Sequence, residues 1–283
     1  MPTILSCTDG SIYARSVYDH SAWAAGRLGA EVHVLHMVEH AEKPAREDVS
    51  GTIGIDTSTE LLNELVALAE AQGRVAIAKA QAVLADAQSH LTTAGVSKVV
   101  LVKRHGALVD SIGEFDTTAD LVVIGKRGEH ADFAKLHLGS NLERVIRTCR
   151  HPVLIASRAF QPIERFVLAY DGSPSVLKAV EFVLGNPLLK GLHCHLVRAG
   201  KVDDTARYYV EETAAKLRAA GYTVTSQATP GPADEVIGAA VKEQNANLLV
   251  MGAYGHSRIR EFIVGSTTTA LIRTVSTPVL VFR

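Results

Sequence analysis

The stretch MGAYGHSRIREFIVGSTT, residues 251–268, holds the spacing most suggestive of chemistry. Two residues separate Gly252 from Gly255, and nine more separate Gly255 from Gly265-Ser266. Glycines at such places can take positive φ and let a ligand approach the main chain closely. TTTALIRTV, which follows Ser266, reads as a helix start with Ser266 as its N-cap. The free amides of a first helical turn, here around Ser266 and Thr267, favour an anion. The stretch lacks the lysine of a G-x-x-x-x-G-K-[ST] phosphate loop, so main-chain groups would have to hold that anion. Upstream, Asp171 in YDGS can accept a hydrogen bond from an amino group or a hydroxyl. A ligand with an anionic end and a hydrogen-bonding base, such as a nucleotide, suits all three features. Taken singly, each is better explained by turn formation or helix capping.

These groups gain weight because the chain is written twice. TILSCTDGSIYA at the N-terminus matches RFVLAYDGSPSV, LVVIGKRG matches LLVMGAYG, and LHLGSNLERVIRTCRHPVLIASR matches FIVGSTTTALIRTVSTPVLVFR. The matches run in the same order in both halves. Short β-rich runs such as EVHVLHMV, DLVVIG and PVLIAS alternate with longer segments of helical period. That alternation predicts, in each half, a five-stranded parallel sheet with helices on both faces, a doubly wound, Rossmann-like α/β domain. In such sheets ligands bind beyond the carboxyl ends of the strands, where the strand order reverses. The expected domains are residues 1–158 and 164–283, joined near Pro162. An insert at about residues 40–75 sets the first half apart; its polar start leads into an amphipathic run around Leu61, Leu62, Leu65 and Leu68, expected to be a packed helix.

Composition narrows the classes. The 283 residues are 47% hydrophobic and 21% charged with a formal net charge of −1, which speaks against nucleic acid or an anionic membrane as partner. No apolar run approaches the roughly 18 residues of a membrane span. Cys7, Cys149 and Cys194 have neither disulfide-framework nor metal-ligand spacing, and no metal site is expected. The N-terminus lacks the basic and apolar regions of a signal peptide, so a cytoplasmic setting is expected.

The repeated glycine pattern resembles that of the universal stress protein family, once per half, over nearly the whole chain. In that family glycine, two residues, glycine, nine residues, glycine and a small hydroxyl residue form the nucleotide signature, which Gly252, Gly255, Gly265 and Ser266 reproduce. The resemblance implies that Asp171 and Leu196 contact adenine, that Met251, Gly252 and Gly255 lie along ribose and phosphate, and that Gly265, Ser266 and Thr267 hold the phosphates. It implies ATP as ligand, with ADP or AMP as alternatives and Mg2+ accompanying the nucleotide. In the first half the corresponding residues are Asp9, Met37, Gly125, Gly128, Gly139 and Ser140, but ten residues separate Gly128 from Gly139. There Ser140-Asn141-Leu142-Glu143 reads as a capping box whose glutamate puts negative charge where phosphate would sit. Lys126 and Arg127 would attract an anion, against that trend. The second half is therefore expected to be the better site. The resemblance further implies that the last strands pair within the chain as a pseudo-dimer; a homodimer of the whole chain stays open, as does the protein partner. The implied role is a nucleotide-dependent regulator in the stress response, with no catalytic residue assigned. A slow ATPase and a structural or chaperone-like module are the alternatives.

Overall fold

The computed structural model describes residues 1–38, 55–115, 118–126, 140–253 and 265–283. The first half runs β1 (Thr3–Thr8), α1 (Ala14–Leu28), β2 (Glu31–Val38), α2 (Ile55–Thr93), β3 (Val99–His105), α3 (Leu108–Gly113), β4 (Leu121–Gly125), α4 (Ser140–Thr148) and β5 (Val153–Ala156). The second runs β6 (Arg165–Ala169), α5 (Pro174–Gly185), β7 (His193–Ala199), α6 (Asp204–Ala219), β8 (Val224–Thr229), α7 (Ala233–Glu243), β9 (Leu248–Gly252), α8 (Ser266–Thr274) and β10 (Val279–Phe282). A short 3-10 turn, Pro187–Leu189, precedes β7.

All ten strands form one sheet in the order β3-β2-β1-β4-β5-β10-β9-β6-β7-β8. Within each half every pairing is parallel, as the near-continuous apolar strands require. The halves meet where β5 and β10 pair antiparallel, centred on Leu154 opposite Leu280. Each domain's last strand would otherwise be an open edge of apolar residues; pairing the two removes that liability. The chain order reverses around β1 in the first half and β6 in the second. The carboxyl ends of β1 and β4, and of β6 and β9, therefore flank the two crevices where a ligand can enter.

Two apolar layers cover the sheet, and each is continuous across both halves. One packs α1, α5, α6 and the end of α2 against residues such as Ile4, Val123, Phe166 and Val250. The other packs α3, α4, α7 and α8 against Leu5, Ile155, Leu249 and Val281. Polar pins add to the seam. Arg27 of α1 donates from Nε to the Leu188 carbonyl at 2.9 Å, and its Nη2 reaches the Lys190 carbonyl. Ser16 Oγ donates to the Ser157 carbonyl at 2.7 Å. His20 lies beside it, its Nδ1–H bonded to the Ser16 carbonyl and its ring edge-on to Phe160.

One expectation fails. Among the described side chains, the amphipathic start of α2 does not pack on its own domain: Leu61, Leu65 and Leu68 are exposed, and the side chain of Leu62 lies outside the described residues. The helix meets the core only from Ala80 onward, through Leu84, Ala87 and Leu91.

Two buried imidazoles set a pH dependence. Burial pushes His20 down, against the opposing effects of its bond to Ser16 and the nearby Asp19. Burial, and then the neighbouring His193, push His195 down, with Glu243 opposing. Both groups have their folded pKa below the ordinary value of about 6.5, so as pH falls the unfolded chain takes up protons first. Their contribution is fully present above that value and is lost as pH falls through it towards the folded pKa. The urea midpoint is expected to drop from about pH 7 to about pH 5, and His20→Gln or His195→Gln should shallow the slope. An unchanged slope in both variants would remove these groups as the cause.

Candidate functional site

The second-half crevice is built from three chain segments. The first is the turn after β6. Asp171 Oδ1 accepts the Ser173 amide at 2.8 Å, and Gly172 between them has φ +76°. Ser173 then caps α5, its Oγ accepting the Val176 amide, with Pro174 opening the helix. The carboxylate is thus fixed in place by its own backbone, half-buried at the sheet's carboxyl edge.

The second segment is the exit of β9. Gly252 lies so close to the start of α5 that a methyl group on it would sit 2.3 Å from Ser175 Oγ and 3.1 Å from the Val176 amide nitrogen. Its φ is not in the left-handed region. Sequence reasoning gave Gly252 to conformational freedom and close ligand approach; the geometry gives it first to close packing of strand against helix. Met251, one residue earlier, is buried in the layer under α7 and α8, so only its main chain faces the crevice. Gly255 and the neighbouring His256 lie outside the described residues.

The third segment is the start of α8. Gly265 is the N-cap and Ser266 the first helical residue, so the expected Ser266 cap is displaced by one position. Among the described residues no side chain caps this helix, and no acidic residue stands in its first turn. Ser266 is exposed and Thr267 half-buried. Thr268 was not anticipated. Its buried hydroxyl donates to the Ala253 carbonyl at 3.1 Å, and the Gly265 amide reaches the same carbonyl at 3.4 Å. Together they fasten the helix start to the exit of β9. The polar run STTT was the available signal, but it reads equally well as a solvent-facing first turn.

Leu196 is not part of this cluster. It lies mid-strand in β7, paired with Leu168 and fully buried in the core. The histidine before it, His195, does not end the strand, which continues to Ala199. Arg198 and Ala199 occupy the rim instead. Arg198 Nη1 donates to the Asp171 carbonyl at 3.4 Å, and its buried Nε has no hydrogen-bond partner among the described residues. Following HCHLVRAG to its glycine would have pointed to Arg198.

The first half repeats the scaffold with three differences. Asp9 Oδ1 accepts the Ser11 amide at 2.9 Å and Gly10 has φ +75°, the same turn as at Asp171. Val83 of α2, however, is lodged against it, its Cγ2 2.5 Å from where a methyl on Gly10 would lie. The second difference concerns α4. Ser140 is its first helical residue, so the expected capping box is out of register, yet Glu143 does lie in the first turn. Buried Leu142 stands where the second half has Thr268. Third, Lys126 is turned away from the expected anion: its Nζ donates to the Val275 carbonyl at the end of α8, 2.5 Å away. Gly125 closes β4, and Met37 lies half-buried in β2 beyond His36, level with Ala199 rather than Leu196. Gly128, Gly139 and Arg127 fall outside the described residues, as does the side chain of Ser140.

Relatives share this architecture. A universal stress protein of Synechocystis sp. is 40% identical over 287 residues, spanning 100% of both chains. Among solved structures, a universal stress protein from Archaeoglobus fulgidus superposes with a TM-score of 0.72 at 23% identity, covering 99% of this chain and 98% of that one. A Pseudomonas aeruginosa structure described as a putative universal stress protein gives 0.65 at 15% identity, covering 100% and 93%. The model of the universal stress protein family matches twice, at residues 1–157 and 162–283. The chain therefore belongs to the universal stress protein family, as a tandem member carrying the domain once in each half.

Proposed function

We propose that the protein binds an adenine nucleotide, ATP in the first instance, in its second half, and acts as a nucleotide-dependent regulator in the stress response. The observation that carries this reading is the start of α8. Among the described residues it has no side-chain cap, it has no first-turn acid, and it is fastened to the exit of β9, which in turn packs on the helix that follows Asp171. A helix start of this kind attracts phosphate through its free amides and its dipole.

In this reading Ser266 and Thr267 supply amides and hydroxyls to the phosphates, Gly265 keeps the approach open, and Gly252 and Gly255 lie along ribose and phosphate. Asp171 faces the base. Arg198 and Ala199 take the place that sequence reasoning gave to Leu196, and the Nε of Arg198, without a partner among the described residues, provides a donor at that end. Mg2+ accompanies the phosphates. The first half, with Glu143 in its helix start and Val83 on its aspartate turn, binds weakly or not at all. Three buried cysteines without a disulfide suit a reducing, cytoplasmic setting.

Calorimetric titration with ATP is expected to give about one site per chain, far from the two that equal halves would give. Mass spectrometry of ligand carried through purification should find an adenine nucleotide. Two equal sites would refute the asymmetry, and an affinity unchanged by Gly265→Glu would refute the location. Phosphate release above that variant's background would add slow hydrolysis to binding.

A further inference from the structure

The second half shows how much helix the fold needs between its second and third strands. There α6 has 16 residues and buries Ala206, Val210, Thr213 and Leu217. In the first half Ala80, Leu84, Ala87 and Leu91 of α2 repeat that spacing and do the same work. Yet α2 has 39 residues. The surplus lies at its N-terminal end, before Ala80. At 1.5 Å per residue, the 39 − 16 = 23 extra residues extend the helix by about 34 Å.

That extension carries large apolar side chains that nothing covers among the described residues. Leu61, Leu65, Leu68 and Val75 are between 40% and 68% exposed. Their spacing of four, three and seven residues follows one heptad seam, with Gln72 at the remaining position. Ala69 and Ala76 flank it and leave room for a close neighbour. The charges are mostly sorted along the axis, with Asp56, Glu60 and Glu64 near the start and Arg74 and Lys79 near the body; Glu70 lies between them and pairs with Arg74 at 3.9 Å.

We infer that the extension of α2 is a dimerisation arm, pairing antiparallel with the same segment of a second copy of this chain. Antiparallel pairing sets the acidic end of each arm beside the basic end of the other and opposes the two helix dipoles. Parallel pairing would set like charges together. The leucine seam is self-complementary, as a two-fold interface demands. Residues 39–54, which lead directly into the arm, offer only Val49 and Ile53 as large apolar side chains, too few to match the seam. A membrane surface fits less well, because interfacial helices carry a polar face rich in lysine and arginine, whereas this arm has four acidic residues, Asp56, Glu60, Glu64 and Glu70, against two basic ones, Arg74 and Lys79.

Sedimentation velocity of the full chain across a concentration series provides the test. The wild type is expected to form a species of twice the 30.2 kDa chain mass. Leu65→Glu with Leu68→Glu should raise the dissociation constant by ~100-fold or more, because like charges would meet in the seam. These side chains are exposed in the single chain, so circular dichroism should stay unchanged. Orientation is read separately: with Glu64→Cys and Lys79→Cys made in two batches and mixed, the cross-linked product should join position 64 to position 79. A monomer at every concentration, a dimer indifferent to the leucine pair, or cross-links of 64 to 64 would overturn the arm as drawn.

Discussion

Replacing Gly252 with alanine is expected to lower stability by about 1–3 kcal/mol, the usual range for overpacking, and to weaken nucleotide binding with it. The added methyl has no room. Ser175 Oγ would be 2.3 Å away, Ser175 Cβ 3.1 Å and the Val176 amide nitrogen 3.1 Å. Ser175 is buried and its hydroxyl is already engaged with Ser173 Oγ at 3.2 Å, so it cannot swing away without loss. The Val176 amide belongs to the first turn of α5, which Ser173 caps. Relief therefore means shifting α5, and the turn that presents Asp171 moves with it. Ser175→Ala removes the nearest clashing atom. The double variant Gly252→Ala with Ser175→Ala should recover much of the lost stability, giving the non-additivity expected of touching residues. Urea melts of the four proteins in the cycle, paired with ATP titrations, measure both effects. If Gly252→Ala were as stable and as tight-binding as the wild type, the strand–helix contact would not be what requires glycine here.

The fold was legible because two kinds of pattern agreed. Runs such as LVVIG and LLVM are apolar without alternation, which suits strands covered on both faces, and the repeat of every run fixed two copies of one topology. The seam was what the family resemblance implied, and the apolar runs PVLIAS and STPVLVFR, unsuited to open edges, agree with it. What misled was depth. Sequence distinguishes buried from exposed by residue type, but it does not say how far along a strand the carboxyl rim lies. Leu196 was placed at the rim by the family resemblance, whereas it lies mid-strand after His195, which is buried with its Nδ1 2.7 Å from Thr225 Oγ1 on the next strand. Lys126 was misread for a related reason. Its charge was visible, but its partner, the Val275 carbonyl, lies 149 residues away across a seam no local pattern encodes. For α2 the amphipathic pattern was correct and its target was wrong: helical period identifies an apolar face without naming what meets it.

Thr269→Glu separates affinity from stability, and the two are expected to move in opposite directions. The substitution gives α8 the acidic first-turn residue that α4 has in Glu143, at the matching place in the repeat. A carboxylate there favours the helix itself, by about 0.3–1 kcal/mol, because it opposes the positive end of the dipole. Without ligand the melting temperature should therefore hold or rise. The same carboxylate repels a phosphate at that helix start. With unit charges about 6 Å apart and an effective dielectric near 40, the repulsion is about 1.4 kcal/mol per phosphate charge, so ATP affinity should fall roughly 10- to 100-fold. Thr269→Gln has nearly the same size and no charge, and should stay close to the wild type. Raising the salt should shrink the gap between the two variants, since the added term is electrostatic and partly exposed. A loss of affinity shared equally by Gln and Glu would point to shape rather than charge. Unchanged affinity in Thr269→Glu would move the phosphates away from α8. The reverse change, Glu143→Thr, removes only one of the obstacles in the first half. Val83 still stands against the Gly10 turn, and Lys126 is still held at the end of α8. That variant alone is expected to leave the stoichiometry at about one, so the asymmetry of the tandem chain rests on several residues rather than on a single glutamate.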